Sequence, residues 1–179
     1  MEALPQTTLH RGKFLTLMQE GHWEYAHRPH ATGAVLVAAV TDTRKLLLVE
    51  QYRIPVHART IELPAGLVGD NAGDPEESAR EAARRELIEE TGYAAGHLAP
   101  LLRGPASSGL GSEIATLFRA TGLQRVGPGG GVGREAITVH EVPLTEVHDW
   151  LVARAQSGVL VDPKVYAGLY FIFFRPGEA

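Results

Sequence analysis

The sequence predicts an α+β domain, and three observations carry that prediction. Short runs rich in aliphatic and β-branched residues recur along most of the chain. One helix is punctuated at both ends, around "ARRELIEETGY" (83–93). Strand-like segments are many and helices few, which suits sheets with helices packed on them.

Residues 1–30 are polar and broken, with strand-like pieces at "KFLTLMQ" and "HWEYAHR". They form a distinct N-terminal segment, and residues 31–179 form the main domain. "TGAVLVAAV" (32–40) and "KLLLVEQYR" (45–53) read as two strands, and the turn-like "TDTR" between them suggests a hairpin. "IELPAGLVGDNAGDPE" reads as loop, punctuated by glycine and proline. A helix is expected next. Asp74 suits its cap, Pro75 its first position and Glu77 the capping-box acid. Ala79, Ala82, Ala83 and Leu87 supply its apolar face, and Gly92 its stop. Further strands are expected at "HLAPLLRG", "IATLFRATGL" and "EAITVHEVPL". A second helix is expected from Thr145 to Gln156, stopped by Gly158, and a third from Asp162-Pro163 to the C-terminus.

With 179 residues, 44% hydrophobic and 21% charged, the chain is long enough for one domain with a sizeable core. A net charge of −4 gives no basic footprint for nucleic acid and no polybasic membrane signal. With no cysteine there is no disulfide, thiolate metal site or thiol nucleophile, which suits a reducing cytoplasm. "MEALPQTTLHRGKF" lacks the apolar stretch of a signal peptide. No apolar run approaches the roughly 20 residues of a membrane span.

Glu86, Glu89 and Glu90 raise the functional question. Positions three and four apart share a helical face, so these like charges repel. Either water screens them on a solvated face, or a cation sits among them. Hard carboxylate oxygens suit Mg²⁺ or Mn²⁺, ions that usually also bind substrate phosphates. A glycine-rich loop before the helix, a glycine stop and Leu87 in the core fix these carboxylates in space. A merely solvated face does not need that. The glycine-rich "VGPGGGVGRE" (126–135) has no Gly-Lys-Ser/Thr and is no Walker loop. It reads as a mobile surface loop or as a flexible gate. The eight histidines show no zinc spacing, and Ser107 and Ser108 have no evident histidine and aspartate partners. Trp23 and Tyr25 are either packed or available to stack on a base, across a dimer.

Glu77 followed seven residues later by Arg85-Glu86-Leu87-Ile88-Glu89-Glu90-Thr91-Gly92-Tyr93 resembles the signature of the Nudix hydrolase family. "RGKFLTL", "VEQYRIP", "IELPAGL" and "SSGLGSE" resemble its ADP-ribose pyrophosphatase branch. Two departures stand out. Asn71 occupies the signature glycine position, so Gly66 of "LPAG" takes that role with a five-residue extension around "GDNAG". Ser108 stands where the branch has proline.

The resemblance implies a Nudix fold, with mixed β-sheets sandwiched between helices. It implies a homodimer that exchanges short N-terminal strands. It implies Mg²⁺- or Mn²⁺-dependent hydrolysis of a nucleoside diphosphate sugar, most simply ADP-ribose to AMP and ribose 5-phosphate. GDP-mannose, a dinucleoside polyphosphate or an oxidised nucleotide is the alternative substrate, and a non-catalytic ADP-ribose-binding sensor the alternative role. Carried over residue by residue, Glu86 and Glu90 are metal ligands with Glu89 beside them, and the Ala65 carbonyl is a further ligand. Arg85 and Glu77 orient the cluster. Glu113 or Glu89 accepts the proton of the attacking water. Arg53 contacts phosphate, and Glu62, Trp23 and Glu135 are the remaining candidate substrate contacts.

Overall fold

A computed structural model describes residues 4–70, 77–133 and 135–174. The N-terminal segment forms three antiparallel strands: β1 (Gln6–Arg11), β2 (Thr16–Glu20) and β3 (Trp23–His27), in the order β1-β2-β3. Both segments expected to be strands are strands. β1 was not expected, because "QTTLHR" has no apolar pattern and all six of its residues are exposed.

The main body holds two four-stranded sheets. One contains β4 (Gly33–Ala39), β7 (Ala65–Val68), β8 (Tyr93–Pro105) and β9 (Ile114–Arg125), ordered β7-β4-β9-β8. The other contains β5 (Lys45–Arg53), β6 (Ala58–Glu62), β10 (Thr138–Pro143) and β11 (Leu160–Val161), ordered β10-β5-β6-β11. Antiparallel and parallel pairs mix, since β4 runs parallel to β9 and β6 parallel to β11. β4 and β5 are not a hairpin. A tight turn with Arg44 at φ 59° joins them, but a lone Val40–Leu46 bridge links them before they part into different sheets. Their apolar runs explain the divergence. Each strand is buried on both faces, which suits a central strand better than a two-stranded ribbon.

Strand alternation divides the core in two. Val35, Val37 and Ala39 of β4 face helix α1 (Ala79–Thr91), together with Ala82, Ala83 and Leu87. Leu36 and Ala38 face the other way, into a second cluster with Leu46, Leu48, Ile61 and Leu63. Helices α2 (Val147–Gln156) and α3 (Pro163–Phe174) complete that cluster through Leu151, Val165 and Leu169. The sheets therefore lie between α1 on one side and α2 and α3 on the other.

The start of α1 corrects the sequence reading. Ser78 is the N-cap, and its reciprocal capping-box partner is Glu81. Glu77 lies just before the cap. Asp74, Pro75 and the extension around Asn71 fall outside the described residues. "IELPAGL" also corrects it, because β6 and β7 occupy much of that segment. Gly92 ends α1 as expected, with φ 77°.

Candidate active site

A cleft of about 770 Å³ opens where α1, β7 and the β5–β6 pair converge. Glu86 and Glu90 line it from the last two turns of α1. The "LPAG" segment meets them closely. The Ala65 N–H donates to Glu90 Oε2 at 3.0 Å. A Cβ built on Gly66 would stand 1.9 Å from Glu86 Oε1, so the missing side chain is the space the carboxylate fills.

Burial pushes the Glu86 carboxyl up to about 7, against the pull of Arg85, and Glu89 and Asp70 push it the same way. Burial pushes Glu90 up to about 8, with Glu86 and Glu135 adding repulsion, while the Ala65 amide and Arg53 oppose the rise. Two carboxylates that strain to ionise, Glu90 buried and Glu86 partly buried, are a fit for a hard divalent cation, which would supply the missing positive charge. Among the described residues no three His, Asp or Glu side chains are gathered into a self-sufficient cage. Mg²⁺ commonly takes one or two carboxylates and fills its remaining positions with water and substrate phosphate.

Arg85 is the hub behind the pair. Its Nε and Nη2 donate to both Glu77 oxygens at 2.9 and 3.1 Å. Its Nη1 donates to Glu86 at 2.7 Å and to Glu89 at 3.2 Å, and Nη2 reaches the Leu67 carbonyl of β7. One guanidinium thus ties the segment before α1, the helix and strand β7 together. Glu77 is held well below the usual carboxylate range, chiefly by its hydrogen bonds from Arg85. Glu89 faces Arg85 and does not line the cleft.

The floor and rim supply the other groups. Arg53 and Glu62 both line the cleft and form a two-point ion pair, at 2.7 and 2.5 Å. Glu113 lines the rim and accepts from Arg28 Nε at 2.8 Å. The loop carrying Glu113 is fastened to β3, because Ala26 bonds to Leu110 and Ser112 through its backbone. Glu135 lines the cleft too. Trp23 does not; it lies half exposed on the N-terminal sheet.

The glycine-rich segment has a different role from either sequence reading. Its backbone docks on the C-terminal end of α1. Gly130 and Gly131 N–H donate to the Glu90 and Glu89 carbonyls at 2.8 and 3.0 Å, and Val126 and Gly127 donate to Gly92. These bonds satisfy carbonyls that a helix end leaves without partners. Only glycine fits there: a Cβ on Gly129 (φ 70°) would stand 2.5 Å from the Thr91 carbonyl carbon. The segment is a clip on the carboxylate helix, and Glu135 is its last residue.

Several lining residues were not among the sequence candidates for the site. Arg28, Gln51, Thr60, Asp162 and Lys164 all line the cleft. Thr60 is among the buried residues, and its hydroxyl has no partner among the described residues.

The NUDIX domain family model matches residues 30–160. The chain belongs to the Nudix family. It is 36% identical over 120 residues to a methanol dehydrogenase activator of Bacillus methanolicus, covering 66% of this chain and 62% of that protein. It is 31% identical over 175 residues to an ADP-ribose pyrophosphatase of Mycobacterium tuberculosis, covering 94% and 81%. It is 30% identical over 148 residues to a GDP-mannose pyrophosphatase of Enterobacter sp., covering 78% and 72%. The first relatives are longer than the match, which takes in 62%, 46% and 36% of their lengths. A crystal structure of an ADP compounds hydrolase shares the fold, with a TM-score of 0.66 at 24% identity, covering 84% of this chain and 82% of that one. The chain's mixed sheets between helices are thus the Nudix fold. No described helix is long and apolar enough to cross a membrane.

Proposed function

We propose that this Nudix protein hydrolyses the pyrophosphate bond of a nucleoside diphosphate sugar, ADP-ribose foremost, yielding AMP and ribose 5-phosphate. The observation that carries this reading is the carboxylate pair of partly buried Glu86 and buried Glu90, held over Gly66 and Ala65 and facing Arg53 across one cleft. The relative covered over most of both chains is named an ADP-ribose pyrophosphatase, which favours that substrate. The relative named GDP-mannose pyrophosphatase makes GDP-mannose the second candidate.

Glu86, Glu90 and the Ala65 carbonyl would hold Mg²⁺ or Mn²⁺, which when bound neutralises charge on the pyrophosphate. The chain's own residues do the positioning. Arg85, braced by Glu77, fixes the rotamer of Glu86 and keeps Glu89 alongside. Arg53 presents its guanidinium to a phosphate from the cleft floor, and Glu62 sets its orientation. The proton of the attacking water passes to a cleft carboxylate. Glu113 serves better than Glu89 here, because it lines the cleft whereas Glu89 is turned to Arg85. Catalysis on this reading is mostly orientation and charge compensation.

The exposed N-terminal sheet extends the reading to assembly: we place residues 1–30 between two copies in a homodimer, with Trp23 available to a base bound there. The cysteine-free composition suits a cytoplasmic setting. Phosphate release from a panel of nucleotide sugars and polyphosphates, with Mg²⁺ and with chelator, tests the activity. Turnover of ADP-ribose that requires metal supports it. No turnover of any nucleoside diphosphate derivative would overturn it.

A further inference from the structure

The loop that carries Glu113 has little of its own to hold it. Residues 106–113 join β8 to β9, and "ASSGLGSE" offers three serines and two glycines. Leu110, its largest apolar side chain, is exposed, and a Cβ built on Gly109 would meet nothing within 4 Å. Neither core cluster includes a residue of this loop. It closes on itself through the backbone. Leu110 and Gly111 N–H donate to the Ser107 carbonyl, and Ala106 N–H donates to that of Glu113. These bonds shape the loop without tying it to the body of the protein.

The end of β3 supplies the tie, and it does so in register. Ala26 lies beside Gly111 in a parallel bridge. Its N–H donates to the Leu110 carbonyl at 2.8 Å, and its carbonyl accepts from Ser112 N–H at 3.1 Å. One residue on, His27 Nδ1 and Ser112 Oγ are 3.0 Å apart. One residue further, Arg28 Nε donates to Glu113 Oε2 at 2.8 Å. Pro29 restricts Arg28 to extended backbone, which carries the direction of the strand past its end. The Arg28 and Glu113 side chains are 39% and 26% exposed, and a pair so open to water adds little to stability. What it fixes is direction. Oε2 is tied, while among the described residues no donor reaches Oε1. Both residues line the cleft.

We propose that Arg28 is a positioning residue for Glu113, holding Oε2 so that Oε1 is the atom offered to the attacking water. Oε1 then takes the proton as the water oxygen bonds to phosphorus, and the bond from that phosphorus to the bridging oxygen breaks, its electron pair leaving with the other phosphate. The chemical step rests on the hydrolase reading; the tie between Arg28 and Glu113 does not. By this route the N-terminal sheet shapes the active site of its own chain, with Ala26 and His27 placing the loop and Arg28 aiming the side chain.

A double-mutant cycle on ADP-ribose turnover with Mg²⁺ tests this. Arg28→Gln should melt at the temperature of the unaltered chain. Its kcat should fall at least about tenfold with KM held within about twofold, the mark of an interaction made in the transition state. Arg28→Lys, which keeps a charged donor, should recover part of the loss. In the Glu113→Gln background, adding Arg28→Gln should change kcat by less than about twofold, because Arg28 has nothing left to aim. Equal fold losses in the two backgrounds overturn the proposal. So does a raised KM at unchanged kcat, which would make Arg28 a substrate contact. The NMR signal of the Glu113 carboxyl carbon, assigned through Glu113→Gln, reads the tie without turnover. It should shift in Arg28→Gln, and an unmoved signal overturns the tie itself. A shifted signal in a chain that hydrolyses no nucleoside diphosphate derivative would uphold the positioning of Glu113 while sinking the hydrolase reading.

Discussion

The carboxylate of Glu86 occupies the space that a side chain at Gly66 would need, with Oε1 1.9 Å from where a Cβ would lie. The pairing explains why the strand after "LP" carries glycine at this position, where the backbone is not left-handed. Gly66→Ala should therefore be tolerated by the backbone but not by Glu86, which must swing away. Overpacking of this kind costs about 1–3 kcal/mol of stability. Turnover should fall about 100-fold, equivalent to about 2.7 kcal/mol in the barrier. Steady-state kinetics with a Mg²⁺ titration would check it. Near-normal turnover would show that the Glu86 position is unimportant.

Glu90→Gln separates charge from packing. Glutamine keeps an oxygen for the Ala65 N–H but removes a charge that burial disfavours. The fold should be as stable as before, or slightly more so, by thermal melting. Activity on ADP-ribose should drop about a thousandfold, close to 4 kcal/mol. Chelator should abolish turnover of the unaltered chain, and Mg²⁺ or Mn²⁺ should restore it. Full turnover in chelator would refute a metal site at Glu86 and Glu90.

The helix that carries the carboxylates was legible because its signal is local. Arg85, Leu87 and Gly92 lie in one register, and the structure puts each where that register requires. The start of the helix was misjudged because Asp74-Pro75 and Ser78–Glu81 both satisfy capping chemistry only a few residues apart. What the sequence could not yield was long-range. The clip of Gly130 on Glu90 joins residues 40 apart in sequence through main-chain atoms, which leave no side-chain pattern beyond the glycines themselves. Thr60 and Gln51 share the cleft wall only through the β5–β6 register, and Lys164 reaches it only through the placement of α3.

The clip makes its own prediction. Gly129→Ala places a methyl group against the Thr91 carbonyl in a backbone conformation that alanine resists. A substitution of this kind costs more than about 1 kcal/mol. The amides of Gly130 and Gly131 should exchange with solvent markedly faster, because their acceptors on Glu90 and Glu89 are lost. Unchanged exchange at those amides would show that the segment does not hold the helix end.

Glu50 should contribute to acid stability alongside Glu77 and Glu141, whose carboxyls are also held low by their partners. Burial pushes the Glu50 carboxyl up, but hydrogen bonds from Arg59 and His140 and the charges of Arg154 and Arg59 outweigh that and hold it below the usual 4.5. A depressed carboxyl stabilises the fold above its unfolded-state value and loses that contribution as pH falls through the folded-state value. The unaltered chain should therefore lose stability progressively below about pH 4.5. Glu50→Gln should be less stable at pH 7 by about 3 kcal/mol, since Arg59 and Arg154 lose their buried counter-charge. Its stability should depend less on pH in that acid range. Parallel pH profiles from urea unfolding would count against this account.

The N-terminal sheet should exist to be covered. Its three strands expose Leu9, Leu17 and Trp23, with Phe14 and Leu15 exposed in the turn between β1 and β2. Neither core cluster includes a residue of this sheet. Three strands need a packed face to be stable in water, and a second copy of this sheet can provide one. Light scattering should then report about twice the 19.3 kDa chain mass. Removing residues 1–30 should yield monomer or aggregate. It should also impair activity, because Ala26 and Arg28 fasten the loop and side chain of Glu113. A truncated chain that remains a stable monomer with full turnover would refute both roles at once. A truncated monomer with impaired turnover, restored in part when only residues 1–22 are removed and β3 is kept, would instead separate the assembly role of β1 and β2 from the bracing role of β3.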